Sequence, residues 1–487
     1  MRRFGTPEDV NKRIIGILAV GGIAGVAHAT PQRPALHQDG SVTVGNQTYA
    51  SRADYLGSQE FRDSGARCGA ERTIHSSLVA DPGDCSTDST TINQGYNDDR
   101  TLIIQVIFHV IKKTDGTGDI DPSLLKSQID VLNEDYEAIP NTLGSMGTNA
   151  KIKFVLARFD PTGNPTPGYE YVTNDSYYAD PGDSPNAMKQ ALHWDTSKYF
   201  NLYTNDAAGY LGYATFPWDR TSSPEEDGVV LADYSVGRNA PNGGQYNLGR
   251  TLTHEAGHWL GLLHTFEGGC QGNDTTAYTT GDLIKDTPRD NTSHFDCVAA
   301  TSCTNQQVPI ENYMEYTDDA CMTKFTVEQA NRIRCSTMNY RWINTEPTAA
   351  FTFTVAGLAA TFAGSSTDAE SQPSEMHYIW DFGDGQISTE QNPVHTYAMG
   401  GSYDVKLEVV DPGSGANTIT QSVVVADAGN GSGSGSGSGS NGGGGGDDDG
   451  GDGSSGGGCC QAPKGGLSFA LCSVPVAFGL LRRRRRR

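Results

Sequence analysis

No stretch narrows the fold of this chain as far as Thr253-His254-Glu255-Ala256-Gly257-His258-Trp259-Leu260-Gly261-Leu262-Leu263-His264. Side chains four apart on a helix share a face, so a helix here lets His254 and His258 offer ring nitrogens to one metal ion. Glu255 falls one position on, within reach of a metal-bound water without being a ligand. Gly261 can adopt backbone angles closed to other residues, so the chain can turn sharply and bring His264 back as a third ligand. Three neutral imidazoles with one position left for water form an open, catalytic zinc site rather than a closed, structural one. Such a zinc lowers the pKa of its water to about 7 and polarises a carbonyl. Glu255 is then placed to take the water's proton as general base and return it to a leaving amine. Two exposed helix histidines and a buried third would be the blander account, but it leaves the agreement of all three spacings unexplained.

The surroundings read as an α/β layer. A helix pattern runs from Leu248 into the motif as far as His264. Upstream, Leu102 to Ile111 is β-branched and aromatic and reads as a central strand. Pro122 to Tyr136 places Leu124, Leu125, Ile129, Leu132 and Tyr136 on one helix face. Ile152 to Phe159 reads as a strand, Ala187 to Leu192 as a helix and Tyr199 to Tyr203 as a strand, giving β-α-β-α-β across a domain bounded at residues 96–345. Residues 346–427 change character to short alternating strands with turns at Asp384-Gly385 and Gly400-Gly401, which predicts an all-β, immunoglobulin-like sandwich. Residues 428–458 hold many of the chain's 60 glycines with Ser and Asp, and predict a flexible linker.

The ends point to export. Lys12-Arg13, the apolar run Ile14 to Val26 and the small residues of Ala27-His28-Ala29 predict a signal peptide over residues 1–29. The apolar run is shorter than the roughly 20 residues of a membrane-spanning helix. Net charge is −23, although both ends are basic, and this excludes a nucleic-acid partner. Ten cysteines in an exported chain predict disulfides. Cys270, Cys297, Cys303 and Cys321 cluster behind the histidine motif, with three connectivities open to them. His109, His193, His294 and His395 lack partner spacing and read as structural or exposed.

His254 to His264 matches the HExxHxxGxxH signature, by which the chain resembles metzincin proteases. Asn312-Tyr313-Met314-Glu315-Tyr316-Thr317-Asp318-Asp319-Ala320-Cys321-Met322 resembles the Met-turn of the pappalysin family. Phe108-His109-Val110-Ile111 and Asp227-Gly228-Val229-Val230 extend the likeness over about residues 100 to 340. The resemblance implies a metzincin catalytic domain with a twisted mixed sheet and an active-site helix. It implies a zinc endopeptidase acting on protein or peptide substrates, with Met314 as a floor beneath the ligands and Tyr316 helping to stabilise the tetrahedral intermediate. Leu211, Gly212, Tyr213 and Ala214 resemble the edge strand that binds substrate backbone. Gly281 to Pro288 resembles a calcium-binding stretch in which Asp282 and Thr287 supply side-chain oxygens; a solvated acidic turn is the alternative. The family pairing implies Cys270–Cys303 and Cys297–Cys321.

Arg67-Cys68-Gly69 resembles a cysteine switch, in which a propeptide thiolate blocks the zinc's open position. That makes residues 30–95 a propeptide, with its cleavage expected between residues 85 and 98. A disulfide from Cys68 to Cys85 or Cys335 is the alternative. Trp380-Asp381-Phe382-Gly383-Asp384-Gly385 resembles the polycystic-kidney-disease (PKD) domain, which implies either a surface or polymer ligand or a passive spacer. Residues 459–487, with Gly465-Gly466, the apolar stretch Leu467 to Leu481 and six terminal arginines, resemble a bacterial GlyGly-CTERM sorting tail. Cys459-Cys460 leaves a myxobacterial-type tail as the second reading. The tail implies transient inner-membrane contact and then removal, giving a secreted or cell-surface bacterial protein. A surface-binding adhesion protein with a relict protease domain is the rival function, and the presence of Glu255 argues against it.

Overall fold

The computed structural model of the protein describes residues 32–37, 39–70, 85, 96, 99–180, 182, 186–273, 275–303 and 305–426. The expected signal peptide, linker and C-terminal segment lie outside the described residues.

Residues 32–70 begin with an antiparallel sheet of β1 (Ala35–Leu36), β2 (Val42–Val44) and β3 (Gln47–Tyr49), followed by α1 (Arg52–Leu56) and α2 (Gln59–Ser64). The hydroxyls of Ser51 and Ser58 cap the two helices by accepting the backbone N–H of Asp54 and Phe61. This region reads as polar and aperiodic because it has no core of its own. Its few apolar side chains, Val42, Val44, Tyr55, Leu56 and Phe61, are buried against Ile111, Tyr203, Leu211, Val230 and Tyr246 of the next domain.

That domain is organised by β4 (Leu102–Lys112), buried along all but its last residue, as its unbroken apolar run requires. It pairs in parallel with β5 (Ile152–Leu156) and β6 (Tyr169–Thr173) along one side and with β7 (Tyr199–Asn205) along the other. β8 (Gly212–Ala214) and β9 (Val229–Ala232) complete the order β5-β4-β7-β9-β8, with β8 an antiparallel edge in an otherwise parallel sheet. Helix α3 (Pro122–Tyr136) spans the range its periodicity predicts; α4 (Asp175–Tyr178) and α5 (Ala187–Leu192) are short. Helix α6 (Arg250–Trp259) carries the histidine motif, and α7 (Val327–Tyr340) opens with a Thr326/Gln329 capping box. Leu125, Ile129, Leu132 and Tyr136 of α3 share one core with Leu252, Ala256 and Trp259 of α6.

Two elements are shorter than the sequence reading. Helix α6 is shorter than Leu248 to His264: Gly249 at φ +85° precedes it and Gly261 at φ +91° breaks it. The Leu262 N–H closes onto the Gly257 carbonyl at 2.9 Å, satisfying an end carbonyl while the chain reverses. Strand β5 stops at Leu156 rather than Phe159, because Arg158 and Phe159 turn to the following domain. Arg158 pairs with Glu408 at 2.5 Å, and the Phe159 ring stacks on His377 with centroids 3.6 Å apart.

The following domain is a sandwich of β10 (Phe351–Ala356), β11 (Ala359–Gly364), β12 (His377–Asp381), β13 (Ile387–Ser388), β14 (Val394–Thr396), β15 (Gly401–Val410) and β16 (Ala416–Val425). Its sheets, β10-β11-β14 and β13-β12-β15-β16, enclose Phe351, Phe362, Trp380, Phe382, Tyr397, Val405 and Leu407. Asn344 joins the two domains: its carbonyl accepts the Ile103 N–H at 2.8 Å and its amide donates to Asp411 at 3.2 Å. Ser414 adds a bond to Gln105 at 2.9 Å.

Candidate active site

The active-site helix is fixed at both ends by buried charge. Near its start, the Asp135 carboxylate from α3 accepts from Thr253 Oγ1 at 2.7 Å, from Tyr313 OH at 2.7 Å and from Arg250 at 3.2 Å. Asp135 and Arg250 are both fully buried. Burial raises the Asp135 carboxyl to about 6, with Arg250 opposing the rise. At the other end, Asp227 accepts from Trp259 Nε1 at 3.0 Å and takes both terminal nitrogens of Arg341, which also bonds the Trp259 carbonyl. The Arg341 guanidinium lies 3.6 Å over the Trp259 ring.

Between these clamps the three histidines converge. The Nε2 atoms of His254, His258 and His264 lie 3.1 to 3.2 Å from one another. His254 Nδ1 donates to the Tyr313 carbonyl at 2.7 Å and His258 Nδ1 to the Leu262 carbonyl at 2.8 Å. A carbonyl only accepts, so each of these rings carries its proton on Nδ1 and presents a bare Nε2 to its neighbours. Burial also pushes the imidazoles toward neutrality, His258 to about 4 and His254 and His264 well below their ordinary value. Bare nitrogens cannot satisfy one another, whereas one divalent cation fits them: tetrahedral bonds of about 2.0–2.1 Å separate nitrogen ligands by about 3.3–3.4 Å.

Glu255 and Cys68 complete the centre. Cys68 Sγ and the three histidine nitrogens all lie within 4.8 Å of one another. The same sulfur is 3.5 Å from Glu255 Oε2, while Glu255 Oε1 is buried with no hydrogen-bond partner among the described residues. Burial raises the Glu255 carboxyl to about 8, against the pull of Arg67, and raises the Cys68 thiol with the help of the Glu255 charge. Cys68 is a free thiol, and Cys85 is instead paired with Cys335.

The rest of the expected set is placed around this centre. Met314 is fully buried under α6, and its sulfur stands 2.4 Å from where a Cβ on Gly257 would be. Gly257→Ala gains about 1 kcal/mol of helix propensity but overpacks a buried sulfur at a cost of about 1–3 kcal/mol. A net loss of stability is expected, read as a lower denaturation midpoint; an unchanged or higher midpoint would mean that Met314 moves aside freely. The Tyr316 ring lies 4.9 Å from that of His264 and 5.8 Å from that of His254. Leu211 immediately precedes β8, and Gly212 needs its bare Cα because a Cβ there would meet Glu255 Cγ at 2.8 Å. The outer edge of β8 is occupied by the chain around Cys68: Leu211 N–H donates to the Ala66 carbonyl and Gly69 N–H to the Gly212 carbonyl, both at 2.9 Å. Residues 66 and 69 thus meet 211 and 212 in the same chain order. Tyr213 is bonded through its hydroxyl to Asp180, and Ala214 pairs with Val229.

Asp282 and Thr287 meet at 2.6 Å, with Asp282 buried beside a cavity of about 160 Å³ that Asp286 also lines. The structure pairs Cys270 with Cys303 and Cys297 with Cys321, the connectivity implied by the resemblance. The four further histidines considered as ligands stay away from the centre. His109 bonds Glu170 and Asn201, His193 its own helix, His294 pairs with Asp290 and His395 with Asp384.

Sequence reasoning did not single out Asp135, Arg250 and Arg341 or see what Asp227 does, because the two buried ion pairs join residues 115 and 114 apart, and it did not see that Gly257 and Gly212 need a bare Cα for steric reasons. The apolar spacing of α3 could have flagged Asp135, an acid directly before the core residue Tyr136.

The Peptidase M43 family model, described as pregnancy-associated plasma protein-A, matches residues 183–337, and a PKD domain model matches residues 344–426. An extracellular metalloprotease of Colletotrichum graminicola is 36% identical over 251 residues, covering 49% of this chain and 78% of that protein. One from Pyricularia oryzae is 35% identical over 250 residues, covering 49% and 76%. Among solved structures, Tannerella forsythia promirolysin aligns with 56% of this chain and 95% of its own at 30% identity, with a TM-score of 0.46. The chain therefore belongs to the pregnancy-associated plasma protein-A family of metalloproteases, with a PKD domain following its protease domain.

Proposed function

We propose that the protein is a secreted zinc endopeptidase, made as a zymogen, in which His254, His258 and His264 hold the metal and Glu255 is the general base. The convergence of three Nε2 atoms beside a buried carboxylate, two of them bare because their rings donate through Nδ1 to carbonyls, carries this reading. Bound there, zinc would supply Lewis-acid polarisation of the scissile carbonyl and a water of lowered pKa. Glu255 Oε1 is buried with no partner among the described residues, so it is free to hold the proton between water and leaving amine. Once the segment around Cys68 departs, the Leu211 N–H and Gly212 carbonyl are free to pair with a substrate backbone. Tyr316, its ring 4.9 Å from that of His264, helps to stabilise the tetrahedral intermediate. Extracellular placement is supported by the expected signal peptide and by the names of the fungal relatives. Hydrolysis of a protein substrate that is abolished by 1,10-phenanthroline and restored by added zinc tests the assignment. Activity indifferent to the chelator overturns it.

Cys68 acts as the latch. Its sulfur reaches the histidine nitrogens and sits against Glu255, so it excludes water from the place where the nucleophile must stand. A soft thiolate is a good zinc ligand, and a cation at the centre offsets the burial that otherwise holds the thiol protonated. Uncut Cys68→Ala protein is expected to be more active than the uncut parent by an order of magnitude or more, because the competent fraction limits observed activity. Equal activities would exclude the latch.

Calcium is the second metal proposed. The Asp282 carboxylate accepts from Thr287 Oγ1 and the Ile284 N–H, and burial raises it to about 7. A buried carboxylate, a hydroxyl and nearby carbonyls form an all-oxygen set that suits a hard cation. Selective calcium chelation is expected to lower Tm by several degrees, at about 2–4 °C per kcal/mol for a domain of this size. An unchanged Tm with zinc retained would leave this stretch as an acidic turn.

A further inference from the structure

Only residues 69–84 separate Cys68 from Cys85, yet the two cysteines are committed to different parts of the catalytic domain. Cys68 lies among the zinc-site histidines. Cys85 is bonded to Cys335 on α7, where both are buried and where the Asn339 amide, one turn on, donates to Cys85 Sγ at 3.3 Å. The Arg334 guanidinium, next to Cys335, bonds the carbonyls of Tyr96 and of Arg100, the latter at 3.2 Å, just before β4 begins at Leu102.

We propose that the chain from Cys85 onward is a permanent, disulfide-pinned N-terminal arm of the mature protease, and that activation hydrolyses a peptide bond between Cys68 and Cys85. The inference rests on Cys68 being the zymogen latch. A cut after Cys85 would leave the latch covalently attached through Cys85–Cys335, so its return to the zinc site would stay intramolecular. A covalent tether this short keeps such a group at an effective concentration of about millimolar, which dilution cannot overcome. A cut before Cys85 leaves residues 32–68 held by noncovalent contacts alone. These include the buried apolar contacts of β2, α1 and α2 and the ion pairs Arg33–Asp206 at 2.6 Å, Arg52–Asp233 at 3.8 Å and Arg62–Asp296 at 3.7 Å. Hydrolysis consumes one water and leaves a carboxylate on the departing piece and an amine on the arm. The end of the prosegment accordingly moves upstream from residue 95 to before Cys85.

Two full-length variants test this with one site-specific protease, its recognition sequence replacing residues 72–77 in one and residues 88–93 in the other. Cutting the first is expected to raise hydrolysis of a quenched peptide by about tenfold or more under non-reducing conditions, the tether being absent. Cutting the second is expected to leave activity near the uncut level, until Cys85→Ser and Cys335→Ser are introduced together and the same cut then activates. As a check that does not depend on the variants folding, non-reducing mass spectrometry of naturally matured protein should find an N-terminus before residue 85 and a peptide linking Cys85 to Cys335. Full activation of the second variant with its disulfide intact, or a mature N-terminus beyond Cys85, overturns the proposal. Failure of the latch itself looks different: both uncut variants would already be fully active.

Discussion

Glu255→Gln is expected to lower kcat/KM by about 10²–10⁴-fold, the usual contribution of a positioned general base, with the zinc content of the mature enzyme unchanged. The amide keeps the size of the carboxylate, so the fit against Gly212 and beneath the edge strand survives. What it loses is the ability to accept a proton, and Oε1 is the buried acceptor that no described residue satisfies. Metal content and activity therefore separate, because the three nitrogens that bind the metal belong to other side chains. Metal analysis beside peptide hydrolysis reads both quantities on one sample. A variant that keeps more than a tenth of parental activity would mean that another group moves the proton.

Asp135→Ala is the substitution expected to cost most in stability, about 3–5 kcal/mol, the range for removing one partner of a buried ion pair. It strands the Arg250 guanidinium in a fully buried position and removes the acceptor of both Thr253 and Tyr313. Tyr313 matters beyond stability, since its carbonyl holds His254 Nδ1 and thereby orients that ring. At about 2–4 °C per kcal/mol for a domain of this size, Tm should fall by roughly 6–20 °C. Replacing both partners, Asp135→Ala with Arg250→Met, should recover a substantial part of the loss because no buried charge remains alone. A single variant that melts within a degree or two of the parent would show that water reaches this pair and that the clamp is not dry.

The clustering of the proposed zinc ligands was legible in the sequence because their spacing is local. His254, Glu255 and His258 fall within one and a half turns of helix, and His264 follows a glycine that ends it. The central strand was legible from the unbroken apolar run of β4, as was helix α3 from the 3.6-residue recurrence of its buried side chains. Residues 32–70 were not legible as a folded unit. Their sparse apolar residues make no pattern by themselves and are explained only by the surface they cover. Strand β5 likewise looked longer than it is, since Phe159 and Arg158 face a sandwich some 220 to 250 residues further along the chain.

By itself the sequence determined the chemistry: which side chains could meet on one helix face, where that helix must turn, and that two kinds of domain follow one another. Local spacing suffices for this because helix geometry fixes side-chain directions over short separations. Tertiary structure alone decided which buried charges neutralise one another, which glycines are demanded by a neighbour, and which cysteine is left unpaired beside the histidines. Those outcomes depend on contacts between residues remote in the chain, where burial makes an unmatched charge or a single extra methyl costly.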